Sequence, residues 1–117
     1  MEFKEEIQRL AGEFEGCRQI LQALGDENRQ HLMLEMMQME KCEGVRVGEI
    51  TEKTHLSRPA VSHHLRILRD AGIVKMRREG TKNYYYIDAD TDAMNRIIGM
   101  LTHAKELMEK MPDRSGQ

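Results

Sequence analysis

A mainly helical fold carrying one small β-hairpin is what this 117-residue sequence predicts, in the order α-α-α-α-β-β-α. Three observations predict it. Apolar residues recur at helical spacing along most of the chain, the spacing drops to two between Ile73 and Ile87, and helical spacing resumes after Thr91. Aromatic residues are few, Trp is absent and ten Met supply much of the apolar volume, a composition suited to helices packing on helices. The length fits one domain over residues 1–117 with one modest core, which a partner chain would extend.

The first segment, residues 1–24, carries Phe3, Ile7, Leu10, Phe14, Cys17, Leu21 and Leu24 at alternating steps of four and three. Such a seam runs along one side of a long helix and asks for another helix to cover it. Gly12 and Gly16 lie beside the seam, and each either marks a bend or lets a neighbour approach. Leu24-Gly25-Asp26 ends this helix and caps the next, on which Leu32, Met33, Met36, Met37 and Met39 give a broad apolar face. After a loop at Lys41-Cys42-Glu43-Gly44, Arg46 and Val47 read as a short edge strand, followed by a small helix from about Gly48 to Thr54.

The next helix, Ser57 to Ala71, has two unlike faces. At 100° steps, Ala60, Val61, His64, Leu65, Leu68 and Ala71 gather on one side, and Arg58, Ser62, His63, Arg66 and Arg69 on the other. Ser57 is a good N-cap, Pro59 falls in the first turn where its missing N–H does little harm, and Ala71-Gly72 supplies a stop. From residue 73 to 87 the alternation of Ile73, Lys75 and Arg77 against Val74, Met76 and Arg78, a turn at Glu79-Gly80 and a return through Tyr84-Tyr85-Tyr86 make a basic hairpin. The last helix, within 91–111, carries Met94, Ile97, Ile98, Leu101, Ala104, Met108 and Met111.

Charge is segregated along the chain. The net charge is −2, yet residues 1–50 sum to −5, residues 51–83 to +5 and residues 84–117 to −2. Beyond a Debye length of about 8 to 10 Å the acidic ends are largely screened, so the basic middle can attract phosphate locally. No run approaches the ~18 apolar residues of a membrane span. The start, Met1-Glu2-Phe3-Lys4-Glu5-Glu6, lacks a signal-peptide layout, so the expected compartment is the cytoplasm and the expected state of both Cys is the free thiol.

A short helix, a tight turn and a helix with a polar outer face over residues 48–71, followed by a basic hairpin over 73–87, make a winged helix-turn-helix. The second motif helix fits the major groove of B-DNA. Ser57, Arg58, Ser62, His63 and Arg66 are the candidate groove contacts, and Arg77, Arg78 and Lys82 on the wing are the candidate backbone contacts. The expected partner is double-stranded DNA with an inverted repeat, bound by a homodimer. His64 faces inward and reads as a core histidine.

Leu24-Gly25-Asp26-Glu27-Asn28-Arg29, Val47-Gly48-Glu49-Ile50, Leu56-Ser57-Arg58-Pro59-Ala60-Val61-Ser62-His63-His64-Leu65, Leu68-Arg69-Asp70-Ala71-Gly72-Ile73-Val74 and Arg77-Arg78-Glu79-Gly80 with Tyr84-Tyr85 together resemble the ArsR/SmtB family of bacterial winged-helix repressors. The resemblance implies a homodimer paired through the first and last helices, within 1–24 and 91–111, and an inducer that lowers affinity for operator DNA. Two departures accompany it. Where metal-sensing members carry Cys-x-Cys-Asp, this chain has Arg46-Val47-Gly48-Glu49, and Arg46 cannot bind a metal cation. His55 stands where the motif turn often has Gly.

The family's other metal site, on the last helix at the dimer interface, has a counterpart here in Asp90-x-Asp92 and, ten residues on, His103-x-x-Glu106. Four O/N ligands of this kind suit a divalent ion such as zinc or nickel, made harder by the carboxylate that replaces an imidazole. The plainer reading has Asp90 and Asp92 favouring a helix N-terminus, with His103 and Glu106 a solvated i, i+3 pair. Cys42 lies beside Lys41, whose charge favours a thiolate, and family members that sense sulfur species or oxidants use a cysteine in this region. They pair it with one on the last helix, which this chain lacks, and Cys17 falls in the apolar seam. No nucleophile with a base and no carboxylate pair in a pocket stands out, so an enzyme is not expected. The competing readings are a metal or redox buffer and a winged helix that binds protein.

Overall fold

The structure, a computed structural model, describes residues 2–39 and 41–116. Among them stand six helices and one antiparallel hairpin: α1 Phe3–Gly16, α2 Arg18–Leu24, α3 Glu27–Met39, α4 Val47–Thr54, α5 Arg58–Asp70, β1 Val74–Glu79, β2 Lys82–Ile87 and α6 Asp92–Glu109. The helical class and the hairpin agree with the sequence. The long first helix does not, because it breaks at Cys17, where φ is −104° and ψ 6°.

Packing explains the break. The Gly16 carbonyl accepts from Arg96 Nη2 at 2.9 Å, and Cys17, Ile20 and Ala23 turn into the core. α1 itself has no buried residue. The seam is therefore divided, its second half inside the domain and its first half left with Phe3, Ile7 and Phe14 exposed. Gly16 marks the bend, whereas nothing lies within 4 Å of the position a Gly12 side chain would occupy.

α3 is narrower in its contact than the sequence suggested. Arg29, Leu32 and Met36 are buried on it, while Met37 stands 56% exposed to one side. The expected edge strand is also displaced by a residue. Val45 pairs with Tyr85 through two backbone hydrogen bonds of 2.8 Å, and Arg46 already precedes the first turn of α4. Gly44 is required just before this bridge: with φ at +96°, a Cβ there would meet the Tyr85 carbonyl oxygen at 2.8 Å.

α5 is set by both its ends. Ser57 Oγ accepts from the Ala60 N–H at 3.2 Å. At the other end Gly72 takes φ +80°, the Ile73 N–H bonds the Leu68 carbonyl at 3.0 Å and the Gly72 N–H bonds the Arg69 carbonyl at 2.9 Å, which closes the last turn in a Schellman motif. Between them Val61, His64, Leu65 and Leu68 are buried against Leu32, Ile50, Val74 and the rest of the core. The turn into α5 passes through His55 at φ 60° and ψ 19°, a left-handed conformation at the position where the resembled motif turn often has Gly.

Arg29 is the buried cation of this core. Its Nε donates to the Ala23 carbonyl at 3.0 Å, its Nη2 to the Gln22 carbonyl at 2.9 Å, and its Nη1 lies 3.3 Å from His64 Nδ1. Arginine only donates, so His64 accepts through Nδ1 and is neutral. Burial holds its pKa below the ordinary imidazole value; the nearby Asp26 opposes this, and the Arg29 charge adds to it.

On the far side, α1 and α6 are joined by His103, whose Nδ1 lies 2.5 Å from Glu13 Oε1 and whose Nε2 lies 2.7 Å from Glu6 Oε2. Both nitrogens can donate to carboxylates only when the ring is protonated. Donating to the Glu13 and Glu6 carboxylates raises its pKa against a smaller effect of desolvation.

Two outcomes follow from this packing. Arg29→Met keeps the stem but removes the bonds to both α2 carbonyls and to His64, stranding that of Ala23, and should lower stability by about 2 to 4 kcal/mol in urea unfolding, while Arg69→Ala on the exposed face changes it by less than about 0.5 kcal/mol. His103 has a raised folded pKa, so its contribution is complete below the ordinary imidazole value and is lost as pH rises through the raised one. The gap in thermal midpoint between wild type and His103→Gln should thus be widest in mild acid and narrow toward alkaline pH, as calorimetry across that range would show.

Candidate nucleic-acid interface

The outer face of α5 is solvent-facing at every position where the sequence placed a groove contact. Ser57, Arg58, Ser62, His63 and Arg66 are exposed, with Arg69 beside them. The helix can hold them there because Val61, His64, Leu65 and Leu68 occupy the opposite side. Arg58, Arg66 and Arg69 make no ion pair among the described residues. Ser57 has a second duty as the helix cap, which uses an acceptor lone pair and leaves its hydroxyl proton free to donate.

The wing distributes its cations less simply than the sequence suggested. β1 and β2 pair Met76 with Tyr85, Arg77 with Tyr84, Arg78 with Asn83 and Glu79 with Lys82. Arg77 is held within the sheet surface: its Cζ stands 5.2 Å from the Tyr84 ring centroid and its Nε 3.5 Å from Glu79 Oε1. Arg78 is exposed at the tip, where its Nε donates to the Gly80 carbonyl at 3.0 Å. Lys82 is exposed and makes no ion pair within 4.0 Å of a carboxylate among the described residues.

Arg46 lies beside the wing and is not among the candidate contacts the sequence singled out. Its Cζ lies 5.7 Å from the Tyr84 ring, so one aromatic face links the start of α4 to the wing. The available signal was its position: a cation directly before a helix of the motif, where a helix N-terminus would favour an acid.

The candidate metal ligands do not converge within one chain. Among the described residues no three of His, Cys, Asp and Glu are placed to hold an ion. Both His103 nitrogens are engaged by Glu6 and Glu13, Asp90 Oδ1 accepts from the Asp92 N–H at 3.2 Å, and Glu106 is exposed. An ion on Asp90, Asp92, His103 and Glu106 would need ligands from two chains and an imidazole released from a carboxylate. Cys42 is exposed and Cys17 buried, both as free thiols. The Lys41 ammonium expected to favour a Cys42 thiolate is paired with Glu49, which raises the lysine's own pKa.

Comparison with known proteins agrees with this geometry. A sequence profile described as "Bacterial regulatory protein, arsR family" matches residues 26–76, the segment from the α3 cap through α5 into β1. An HTH-type transcriptional regulator of Methanocaldococcus jannaschii is 42% identical over 77 residues, which cover 66% of this chain and 83% of that protein. A transcriptional repressor SmtB homolog of Synechocystis is 39% identical over 84 residues, 72% of this chain and 60% of that protein, so the chain spans about three fifths of that longer relative. In fold, the homodimeric winged helix-turn-helix DNA-binding domain of a Mycobacterium bovis protein superposes with a TM-score of 0.53 at 20% identity, over 97% of this chain and 96% of that one. No helix among the described residues is long and apolar enough to cross a membrane. The chain belongs to the arsR family of bacterial regulatory proteins and is a winged helix-turn-helix transcriptional regulator.

Proposed function

We propose that two copies of this chain pair through α1 and α6 and bind an inverted-repeat operator as a repressor that an inducer releases. The observation that carries the DNA contact is the row of exposed, uncompensated side chains on α5, with Arg58 and Arg66 among polar Ser62 and His63. Arg66 and His63 fit base edges in the major groove, where a guanidinium can bond guanine bidentately. Arg78 and Lys82 on the wing fit flanking phosphates, and Arg77 supports the wing through Tyr84 and Glu79 more than it reaches outward.

Pairing is supported by the apolar face that one chain leaves open. Phe3, Ile7 and Phe14 on α1 and Ile98, Leu101 and Met108 on α6 are all exposed, Met108 by 71%. Packing two such faces together removes apolar surface from water at about 25 cal/mol per Å². It also sets two α5 helices on one side of a two-fold axis, the arrangement that reads half-sites about one helical turn apart.

The test is a fluorescence titration of labelled duplex selected from random sequence. Arg66→Ala should weaken binding to the selected site by roughly 1 to 3 kcal/mol and relax discrimination at one base position, while Lys82→Ala should weaken all sequences evenly. Wild-type affinity in Arg66→Ala would refute this docking.

A further inference from the structure

A small cleft of about 160 Å³ opens between the helix-turn-helix and the wing, lined by Arg46, Val47, Arg58, Thr81 and Asn83. Three elements meet there. Arg58 reaches back from α5 over the first turn of α4, so that a Cβ on Gly48 would stand 3.6 Å from its Nη1. Arg46 enters from the residue before α4, and Thr81 and Asn83 come from the wing tip and β2.

This cleft concentrates positive charge without an anion. Neither Arg46 nor Arg58 makes an ion pair among the described residues. The nearby carboxylate, Glu49, is engaged by the Lys41 ammonium and by the Arg46 N–H at 3.0 Å. The backbone N–H groups of Val47 and Gly48 have no acceptor among the described residues, because an arginine at the cap position has no acceptor to offer them. Asn83 Oδ1 is shielded from water and has no hydrogen-bond partner. Exchanging the amide's O and N, which share one shape, would put an NH₂ donor at that position instead.

Two guanidiniums, a threonine hydroxyl, an amide and open helix N–H groups form a donor set that lacks only an anion. We propose that Arg46, Arg58, Thr81 and Asn83 form a seat for one DNA backbone phosphate, clamped between the helix-turn-helix and the wing. The inference rests on the DNA-binding reading and deepens it. It gives Arg46 a role as an anion contact at the position where metal-sensing relatives carry a thiolate, and it makes the wing angle depend on the bound phosphate. Tyr84, beside the Arg46 and Arg77 guanidiniums, holds the wing side of the seat.

The salt dependence of binding to a mixed-sequence duplex tests it. Removing both guanidiniums in Arg46→Gln/Arg58→Gln should weaken binding of the paired protein roughly a hundredfold and lower the slope of log K against log[salt] by about 1.8, the share of one phosphate in each of two protomers. Arg46→Lys should restore most of the slope lost in Arg46→Gln. Asn83→Asp, which leaves both arginines in place, should also weaken binding, and equal thermal midpoints would show that the fold is intact. An unchanged slope in the double variant, a drop of about 3.6 that assigns the two arginines of each protomer to separate phosphates, or wild-type affinity in Asn83→Asp would overturn the seat. If wild-type protein leaves the duplex free at low salt, the DNA-binding reading itself fails. If Arg66→Ala weakens binding while the Arg46 and Arg58 variants do not, only the seat fails.

Discussion

One buried guanidinium ties the scaffold to the surface that does the work. Arg29 is only 7% exposed, and a charge at that depth is stable only if its donors are satisfied. The chain satisfies them with the Gln22 and Ala23 carbonyls near the C-terminus of α2 and with the neutral face of His64. Asp26 contributes from 4.0 Å while its Oδ1 also accepts the Arg29 N–H at 3.0 Å and caps α3. Three helices are thereby fixed to one side chain. Because His64 is on the inner face of α5, its bond to Arg29 also fixes which residues of α5 face outward.

That rotation matters because the electrostatics are local. The chain carries more acid than base overall, yet Arg58, Arg66 and Arg69 share one helix face and the wing adds Arg78 and Lys82. The acidic residues of α1 meanwhile find work away from that face. Glu6 and Glu13 close on His103 and hold α1 to α6, and this contact sets the slant of the apolar surface that a second chain would cover. The basic outer face of α5 and the exposed apolar residues of α1 and α6 thus belong to different elements of the domain.

Legibility in the sequence followed the range of the interactions. The two faces of α5, its Ser57 cap and Gly72 stop, the hairpin and the left-handed His55 all rest on contacts within a few residues, and periodicity or turn chemistry displays them. The break at Cys17 was legible only as one of two alternatives at Gly16, because the seam continues through it and the partner of the Gly16 carbonyl, Arg96, lies eighty positions away. His103 was read with Asp90, Asp92 and Glu106 from spacing along one helix, whereas its partners in the chain lie on α1. Arg29 stands in the sequence only as part of the Leu24-to-Arg29 motif, and tertiary packing is what shows it buried. Arg46 stands out in the sequence for what it cannot bind, a metal cation, and its neighbours on α5 and the wing come only from tertiary packing.

The most direct measurement is a hydroxyl-radical footprint of the protein on both strands of a duplex selected from random sequence. A two-fold symmetric pattern is predicted, with two protected half-sites about one helical turn apart and weaker flanking protection where each wing meets the backbone. A single asymmetric protected patch, or none under conditions where the protein is folded, would contradict the account of a paired winged helix reading DNA.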